Sequence, residues 1–543
     1  MQHPLAPNHP IFRIYDAVDL ICEYVEHKQL AALAIVSRSF FNCAIPRIWE
    51  RLYGIRPLLR LIGGPRSENE FQNGGSPEQL VSQLELSRFK FYSPFVKYLD
   101  IEADQGPTKW TYLYLVSIAG SPPLPNFRHF RFSSGSEVEI EPKLIPACVS
   151  GLFCPTLKEI RLPPQYSLWI EPHLASYLVN ILVNAAPSVE KLGIFIRHQS
   201  GFSYSESTIF KDITQLHGLR VLECTSALLN PEILELLGAL PLLESLHVEA
   251  APLHVFQDDE VNIQLDGLLL PKGSFPKLVH LSLHSLPCSV ISQLWKYPSI
   301  VRKLVSIDLS FSIYSEGSIN TVLQSVCMCS PLTQELSLKF FEGNIEEPDL
   351  PTVFIDNLQA LSLRCLRIRD AYVLRESYDS FIRSISAWPH IEYLEIPTFR
   401  IAYEELVHIA KCAPKLRLLS VVMNRDDWPR DPVPGSVTPS PSALCLKSVF
   451  LFEMDFGVRR FSREGRLAKH LEHVARNLRM LWPSGVSCEE DDMFNVLKGD
   501  IDIEYMQLLQ EKILSGLKHP NLLKSGECLT SWQYEFRLYD TQL

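Results

Sequence analysis

The chain repeats one pattern of apolar positions: an apolar residue, two others, an apolar residue, one other, and a third apolar residue. In 278–283 the apolar positions are Leu278, Leu281 and Leu283. Alternation at the end of each copy predicts a strand with one buried face. Clear copies lie at 157–162, 189–194, 243–248, 278–283, 304–309, 358–363, 391–396 and 416–421, and weaker ones at 96–101, 127–132, 219–224, 333–338 and 446–451.

Stretches with helical spacing separate the copies, as at 175–182 and 403–410, and prolines such as Pro155, Pro187 and Pro414 precede several copies. Each unit consists of a strand, a connection, a helix and a turn, and the units repeat roughly every 24 to 35 residues. This pattern resembles the leucine-rich repeat. The resemblance implies an α/β fold: an irregular solenoid with a mostly parallel sheet on its concave face and helices outside.

The family often has Asn or Cys three residues beyond the last apolar position, where the side chain bonds turn backbone. Here Leu286, Phe341, Leu366 and Phe399 occupy those places. We therefore expect a solenoid without an amide ladder.

The first 60 residues follow a different, helical period. Apolar residues at 14, 17, 18, 21, 22 and 25 form one stripe of an amphipathic helix. A second short helix begins at Leu30. Ser39 is a candidate cap for a third, which Pro46 must bend or interrupt. A unit of roughly 40 residues is too small to bury all its apolar surface internally, so we expect it to share that surface.

Residues 11–52 resemble an F-box, most closely that of mushroom-type fungal proteins, on the segments 11–14, 19–25, 30–40 and 48–49. One departure is that Tyr15 stands where the family usually has proline, although the acidic residue after it survives as Asp16. The resemblance implies docking to a Skp-family adaptor and, through it, to a cullin. The adaptor-contacting residues would be Ile14, Val18, Ile21, Leu30, Leu33, Val36, Phe40 and Trp49. The alternative is that they pack only against one another and the module caps the repeats.

Composition and pattern divide the chain into four segments. Residues 1–60 form the F-box-like helical module, 61–89 a linker, 90–456 the irregular solenoid and 457–543 a C-terminal helical cap. Helical spacing at 467–481 and 505–517 supports the cap, which would cover the end of the repeat core.

Polar positions alternate with the buried leucines of each strand and are expected to face the concave side. They give the candidate partner-binding residues Glu159, Arg161, Lys191, His247, His280, Asp308, Tyr393 and Glu395. This mixture suits binding of a protein surface and forms no obvious small-ligand pocket. For any one of these residues the alternative is an ordinary solvated face.

Charge and cysteine content narrow the partners and the compartment. The 51 Lys and Arg against 62 Asp and Glu give a net charge of -11, which argues against nucleic acid as the main ligand. The 13 cysteines lack zinc-site spacing, and Cys327 and Cys329 have no matching second pair. No apolar run reaches the ~18 residues of a membrane span, and no signal peptide opens the chain. We therefore expect a cytoplasmic or nuclear protein without membrane contact.

Catalytic motifs are missing from the sequence. Gly63-Gly64 and Gly74-Gly75 lack the Lys-Ser/Thr of a phosphate loop, and His470 and His473 do not have zinc-protease spacing. We expect neither enzymatic activity nor a cofactor or metal. The sequence favours a substrate-recognition subunit of a Skp-cullin-F-box ubiquitin ligase, with the repeats binding the target protein. The alternatives are a leucine-rich-repeat scaffold without a role in ubiquitination and an unrecognised enzyme.

Overall fold

A computed structural model gives the fold, and it divides the chain into two compact units, Met1–Ser330 and Pro331–Leu543. The structure describes residues 10–54, 57–58, 60–61, 83–102, 122–133, 145–162, 169–197, 204–250, 265, 270–311, 316–340, 349–350, 352–373, 377–423, 428–429, 439–450 and 464–488.

Unit 1 begins with the helices α1 (Pro10–Tyr24), α2 (His27–Ala34) and α3 (Arg38–Glu50). Nine parallel strands follow: β1 (Arg51–Tyr53), β2 (Tyr98–Glu102), β3 (His129–Ser133), β4 (Glu159–Arg161), β5 (Lys191–Ile194), β6 (Val221–Thr225), β7 (Ser245–Glu249), β8 (His280–Leu286) and β9 (Ser306–Phe311). The helices along this stretch are Gln83–Tyr92, Ile145–Ser150, Pro172–Ala185, Tyr204–Ile213, Pro231–Gly238, Cys288–Leu294, Pro298–Val301 and Glu316–Cys329.

Unit 2 contains six further strands of the same kind: β10 (Glu335–Phe340), β12 (Cys365–Arg369), β14 (Tyr393–Ile401), β15 (Leu418–Met423), β16 (Leu444–Phe450) and β17 (Val486–Cys488). A separate pair, β11 (Asp349–Leu350) and β13 (Tyr372–Val373), is also parallel. The helices of this unit are Thr352–Leu358, Tyr378–Ile385, Tyr403–Cys412 and Glu464–Leu481.

One apolar residue from each strand forms a continuous buried row, because successive strands pair in register. In unit 1 the row is Leu52, Leu99, Phe130, Ile160, Leu192, Leu222, Leu246, Leu281 and Ile307. In unit 2 it includes Leu336, Leu366, Leu394, Leu419 and Leu446. Stacking of strand–helix units on a shared core confirms the predicted α/β leucine-rich-repeat architecture.

Main-chain hydrogen bonds determine where successive strands of unit 1 begin. The carbonyl of Lys158 accepts hydrogen bonds from the amides of Glu190 and Lys191, and the carbonyl of Glu190 accepts from those of Arg220 and Val221. The same pattern continues from Arg220 to Glu244 and Ser245. Main-chain hydrogen bonds thus join these successive turns of unit 1.

The repeat pattern locates most strands correctly, but two copies are placed wrongly. At 358–363 the pattern predicts a strand, yet Leu358 ends a helix and the strand is β12, Cys365–Arg369. The pattern occurs twice in overlapping form there, because Leu363, Leu366 and Ile368 also match it. The copy at 446–451 is displaced toward the C-terminus of β16, which begins at Leu444. The pattern does not predict β1, β17 or the short pair β11 and β13.

Helix boundaries show further differences. α3 begins after Ser37, whose Oγ accepts a hydrogen bond from the Phe40 amide at 3.3 Å, so the predicted cap at Ser39 is wrong. Pro46 lies inside α3 without ending it. The predicted helix 467–481 is confirmed as Glu464–Leu481, whereas 505–517 lies outside the described residues. A helix also occupies Gln83–Tyr92, within and beyond the predicted linker. No helix among the described residues is long and apolar enough to cross a membrane.

Candidate interaction surfaces

The three N-terminal helices enclose a small core of their own. Val18 and Cys22 of α1, Leu30 and Ala34 of α2, and Ala44 of α3 are buried together. Outside this core an ion pair joins the helices: Arg47 Nη2 of α3 lies 3.0 Å from Asp19 Oδ1 and 4.0 Å from Glu23 Oε2 of α1. The module therefore has a core and an ion pair that link its own three helices.

One side of the module is attached to the first repeats. Trp49 stacks on Tyr92 with ring centroids 4.7 Å apart, and Phe41 stacks on Phe91 at 6.3 Å. Lys97 Nζ donates to Glu50 Oε1 at 2.9 Å. α3 leads directly into β1, which pairs with β2, so the module is continuous with the sheet.

A second face of α1, beside its buried face, carries an exposed apolar stripe. Ala17, Leu20, Ile21 and Tyr24 are all exposed, and their spacing of three, four and seven residues places them on one helical face. Tyr24 is 82% exposed. Aromatic and branched side chains on one helical face are unusual on a surface that meets only water. We call these four residues the α1 stripe.

Two further large apolar residues are exposed just after α2. Ile35 is 87% exposed and Val36 is 65% exposed. Val36 follows the end of α2, and its amide donates to the Leu33 carbonyl at 3.0 Å. Both positions lie in the backbone turn that follows α2.

The structure splits the predicted adaptor-contacting set in two. Val18 and Leu30 are buried in the module's own core, and Leu33, Phe40 and Trp49 are half-buried against it. Ile21 and Val36 are exposed. The side chain of Ile14 lies outside the described residues. The single stripe predicted for α1 is thus wrong, since its apolar residues lie on two faces, one buried and one exposed.

The face of the unit 1 sheet away from the buried leucine row carries a line of mostly charged and polar residues in register. Asp100, Arg131, Arg161, Gly193, Glu223, His247, Ser282 and Asp308 occupy equivalent positions on β2 to β9. Side chains along such a row approach one another across adjacent strands. Together with neighbouring polar residues on the same face, members of this row form two clusters.

The first cluster is centred on Glu159 of β4. Its carboxylate lies 3.1 Å from His129 Nδ1, 3.0 Å from Arg131 Nε and 2.9 Å from Arg161 Nε, with only 3% of the side chain exposed. Burial alone would raise the pKa of Glu159, but the hydrogen bond from His129 and the charges of Arg161 and Arg131 lower it to about 2. Glu159 is therefore ionised at neutral pH and cross-links β3 and β4.

Gly193 lets the first cluster extend over β5. Arg161 Nε lies 3.5 Å from Glu223 Oε1, although β5 separates their strands. A Cβ added at Gly193 would lie 3.1 Å from Glu223 Oε2 and 3.3 Å from Arg161 Cα. The missing side chain therefore leaves the space in which the two charges meet.

The second cluster joins β7, β8 and β9. Glu249 Oε2 lies 3.3 Å from both His247 Nε2 and His284 Nδ1, and His284 Nε2 lies 3.1 Å from Asp308 Oδ2. Burial would raise the pKa of Glu249, but the two histidines lower it to about 2. Burial would lower the pKa of His284, but Asp308 and Glu249 raise it to about 10. The two imidazole centroids are 4.6 Å apart.

Unit 2 carries a third cluster of the same kind. Glu395 of β14 is buried, and its carboxylate lies 3.3 Å from Arg367 Nε and 2.6 Å from Arg369 Nη2 of β12. Arg367 pairs in register with Glu395. Finding this pair from the sequence requires the correct position of β12. The copy at 358–363 places the strand too early and therefore does not align Arg367 with Glu395.

The predicted partner-binding residues differ in exposure. Glu159, His247 and Glu395 are buried, which corrects the expectation that they face solvent. Arg161, Lys191, Asp308 and Tyr393 are half-buried, and His280 is exposed. The cluster members missed from sequence were His129, Arg131, Glu223, Glu249, His284, Arg367 and Arg369. Aligning successive strands by their buried leucines places them on the same face, which is the signal that could have found them.

No family model and no curated protein matches this chain. Among solved structures, the crystal structure of a TLR13–ssRNA13 complex is similar at 14% sequence identity and a TM-score of 0.24. The match covers 57% of this chain and 47% of that one, so this chain spans about half the length of that neighbour.

Proposed function

We propose that this chain is a substrate-recognition subunit of a Skp-cullin-F-box type ubiquitin ligase. The N-terminal module docks a Skp-family adaptor, and the exposed faces of the repeat sheets bind the protein to be modified. In this role the chain is not itself an enzyme. It raises the local concentration of a target lysine near a ubiquitin-carrying enzyme held by the cullin. The cytoplasm and the nucleus are the compartments that suit it.

One observation carries this proposal: the module is packed on one side and open on another. Its α3 side packs against Tyr92 and Phe95, as a cap would. Its α1 stripe, with Ile35 and Val36, stays exposed, although a cap has no use for a second apolar face. Burying such side chains against a partner contributes about 25 cal/mol per Å² of apolar surface removed from water.

A scaffold without a role in ubiquitination is the second candidate. One observation favours it: α3 is attached to the first repeats through Trp49, Tyr92 and the Lys97–Glu50 contact. In that case the α1 stripe binds a different protein or a second copy of the chain.

Co-purification with a Skp-type adaptor separates the two candidates. We expect the intact chain to form a soluble one-to-one complex, and Ile21→Asp with Val36→Asp to weaken it by roughly tenfold or more, because each change places a charge in an apolar contact. Both residues are exposed, so the fold should survive, whereas Leu33 packs against the core and is a poorer choice.

Tyr177→Asp is the matched control, since Tyr177 is a 54% exposed apolar residue on the helix Pro172–Ala185. It should bind the adaptor like the unchanged chain. A chain that is monodisperse alone and ignores the adaptor would identify the module as a cap and remove the ubiquitin assignment.

A further inference from the structure

The second cluster on the unit 1 sheet has the geometry of a metal site. His247 and Glu249 lie two residues apart on β7, so both point to the same face. His284 of β8 pairs in register with Glu249. The three potential ligand atoms, one per residue, lie within 4.8 Å of one another.

The distances suit a single small ion. Glu249 Oε2 is 3.3 Å from each imidazole nitrogen that faces it. Zinc bonds of about 2.0–2.2 Å to nitrogen and oxygen, in tetrahedral geometry, separate neighbouring ligand atoms by about 3.3–3.5 Å. The two distances from Glu249 therefore match those that a bound ion would impose, and the two imidazole nitrogens lie within 4.8 Å of each other.

The outer contacts of His284 support the same reading. Its Nε2 lies 3.1 Å from Asp308 Oδ2 and 3.0 Å from Ser282 Oγ. A metal ion would displace the proton that Nδ1 shares with Glu249, whereas the proton on Nε2 stays donated to Asp308, so that Nδ1 supplies its lone pair to the ion. Histidine ligands commonly have such a carboxylate on the second nitrogen, which fixes the tautomer and the ring orientation.

The local backbone explains why His284 is placed there. The pairing of β8 with β9 shifts register between Leu283 and Leu286, and Ser285 has a φ of 58°. Such an irregularity turns the side chains beside it, and irregular strand positions are frequent at binding sites. The side chain of His247 is 7% exposed and that of His284 is 19% exposed, so the cluster is shielded from bulk water.

We propose that His247 Nε2, Glu249 Oε2 and His284 Nδ1 bind a divalent transition-metal ion of the zinc class, with Asp308 and Ser282 orienting His284. Two imidazoles and one carboxylate suit zinc better than calcium or magnesium, which prefer oxygen ligands alone. The ion links β7 to β8, and three protein ligands leave one position for water or for a group of a bound protein. The site does not depend on adaptor docking and stands apart from the proposed function.

Equilibrium binding of Zn²⁺ to the full chain, with Co²⁺ as the spectroscopic probe, tests the site. The unchanged chain should bind one equivalent that the variants His247→Gln and His284→Gln lose. Asp308→Asn, which removes only an orienting group, should weaken binding roughly 10- to 100-fold. The bound Co²⁺ should show no thiolate charge-transfer absorption, which distinguishes this site from the cysteines.

His280→Gln is the matched control, since His280 is an exposed histidine of the same strand outside the cluster. It should bind Zn²⁺ like the unchanged chain, and Zn²⁺ should raise the thermal midpoint of both but not of His284→Gln. If the unchanged chain binds no Zn²⁺, or if His247→Gln and His284→Gln bind as tightly as it does, the proposal is overturned and the cluster is an ion-pair network only.

Discussion

Buried carboxylates on the sheet are tolerated because each is paired with nitrogen donors of arginine or histidine. Glu159 has three within 3.1 Å, and Glu395 has two arginines. An unpaired buried carboxylate would cost several kcal/mol in desolvation. Small residues have a role as well, since Gly193 makes room for Arg161 to approach Glu223. These contacts tie each strand to its neighbours on the face away from the core.

The lowered pKa of Glu159 predicts a loss of stability in acid. Its ordinary pKa of 4.5 falls to about 2 on folding, so the folded protein binds fewer protons than the unfolded chain between these values. The contribution is fully present above about pH 4.5 and is lost as the pH falls toward 2, amounting to ~3 kcal/mol. In urea unfolding between about pH 6 and about pH 2.5, the free energy of unfolding should depend less steeply on pH for Glu159→Gln than for the unchanged chain.

Glu235→Gln is the control, because Glu235 is exposed on the helix Pro231–Gly238. It should follow the pH dependence of the unchanged chain. Equal slopes for Glu159→Gln and the unchanged chain would show that Glu159 is not the ionised centre of its cluster.

The space left by the missing side chain of Gly193 is tested by adding one. Gly193→Val should lower stability by about 1–3 kcal/mol, because the added atoms push against the Arg161 backbone and the Glu223 carboxylate. The urea midpoint measures the effect. Gly218→Val is a milder comparison, since a Cβ there meets only the Val189 carbonyl at 3.5 Å. A midpoint for Gly193→Val at or above that of the unchanged chain would contradict the account.

Among the elements, α3 connects the N-terminal module to the repeats. It packs against α1 and α2 on one side and against Tyr92 and Phe95 on another. Its start is fixed by Ser37, which accepts the Phe40 amide and satisfies one of the free N–H groups at the helix end. The helix continues through Pro46 and leads into β1.

Removing the α3 cap should loosen the first turn of that helix. Ser37→Ala should cost about 1 kcal/mol, and the amides of residues 40–43 should exchange faster with deuterium. Ser39→Ala is the paired control, because Ser39 lies within the helix and is exposed. Similar exchange in both variants would mean that Ser37 does not cap α3.

The repeat pattern predicts strands well because each copy combines a buried row with alternation, which few other structures share. It fails at 358–363, where two overlapping copies compete and only packing of the helix Thr352–Leu358 decides between them. The α1 stripe escaped prediction for a similar reason. Apolar residues cover much of the circumference of α1, and the position of α3 determines which of them are buried. Contacts between strands, such as Glu249 with His284, appear only when successive copies are aligned by their buried leucines, because a single copy of the pattern does not show its neighbour.

At the scale of the whole molecule, the chain consists of two units built from one kind of repeat. In such arrays each repeat contacts its neighbours and stability spreads only a short distance. The sheet faces and the module surface therefore respond to substitution separately. This separation allows adaptor binding, target binding and metal binding to be tested one at a time.

Leu283→Ala tests how far a local defect spreads. Leu283 is fully buried in β8, so the change should cost about 2–5 kcal/mol. Deuterium exchange should rise in β7 and β9, which pair with β8, and remain unchanged in β15 of unit 2. Leu419→Ala, fully buried in β15, should give the converse result. Uniform loss of protection throughout both units would contradict the repeat-by-repeat picture.

The proposed function rests on the claim that the exposed side of the N-terminal module docks a Skp-family adaptor. Calorimetric titration of a Skp-type adaptor into the intact chain measures this binding. We expect one saturable site with a negative heat-capacity change, because apolar residues such as Ile21, Tyr24 and Val36 leave water on binding. Ile21→Asp with Val36→Asp should abolish that signal, and Tyr177→Asp should retain it. No saturable binding by the intact chain, or equal binding by the double variant, would contradict the claim.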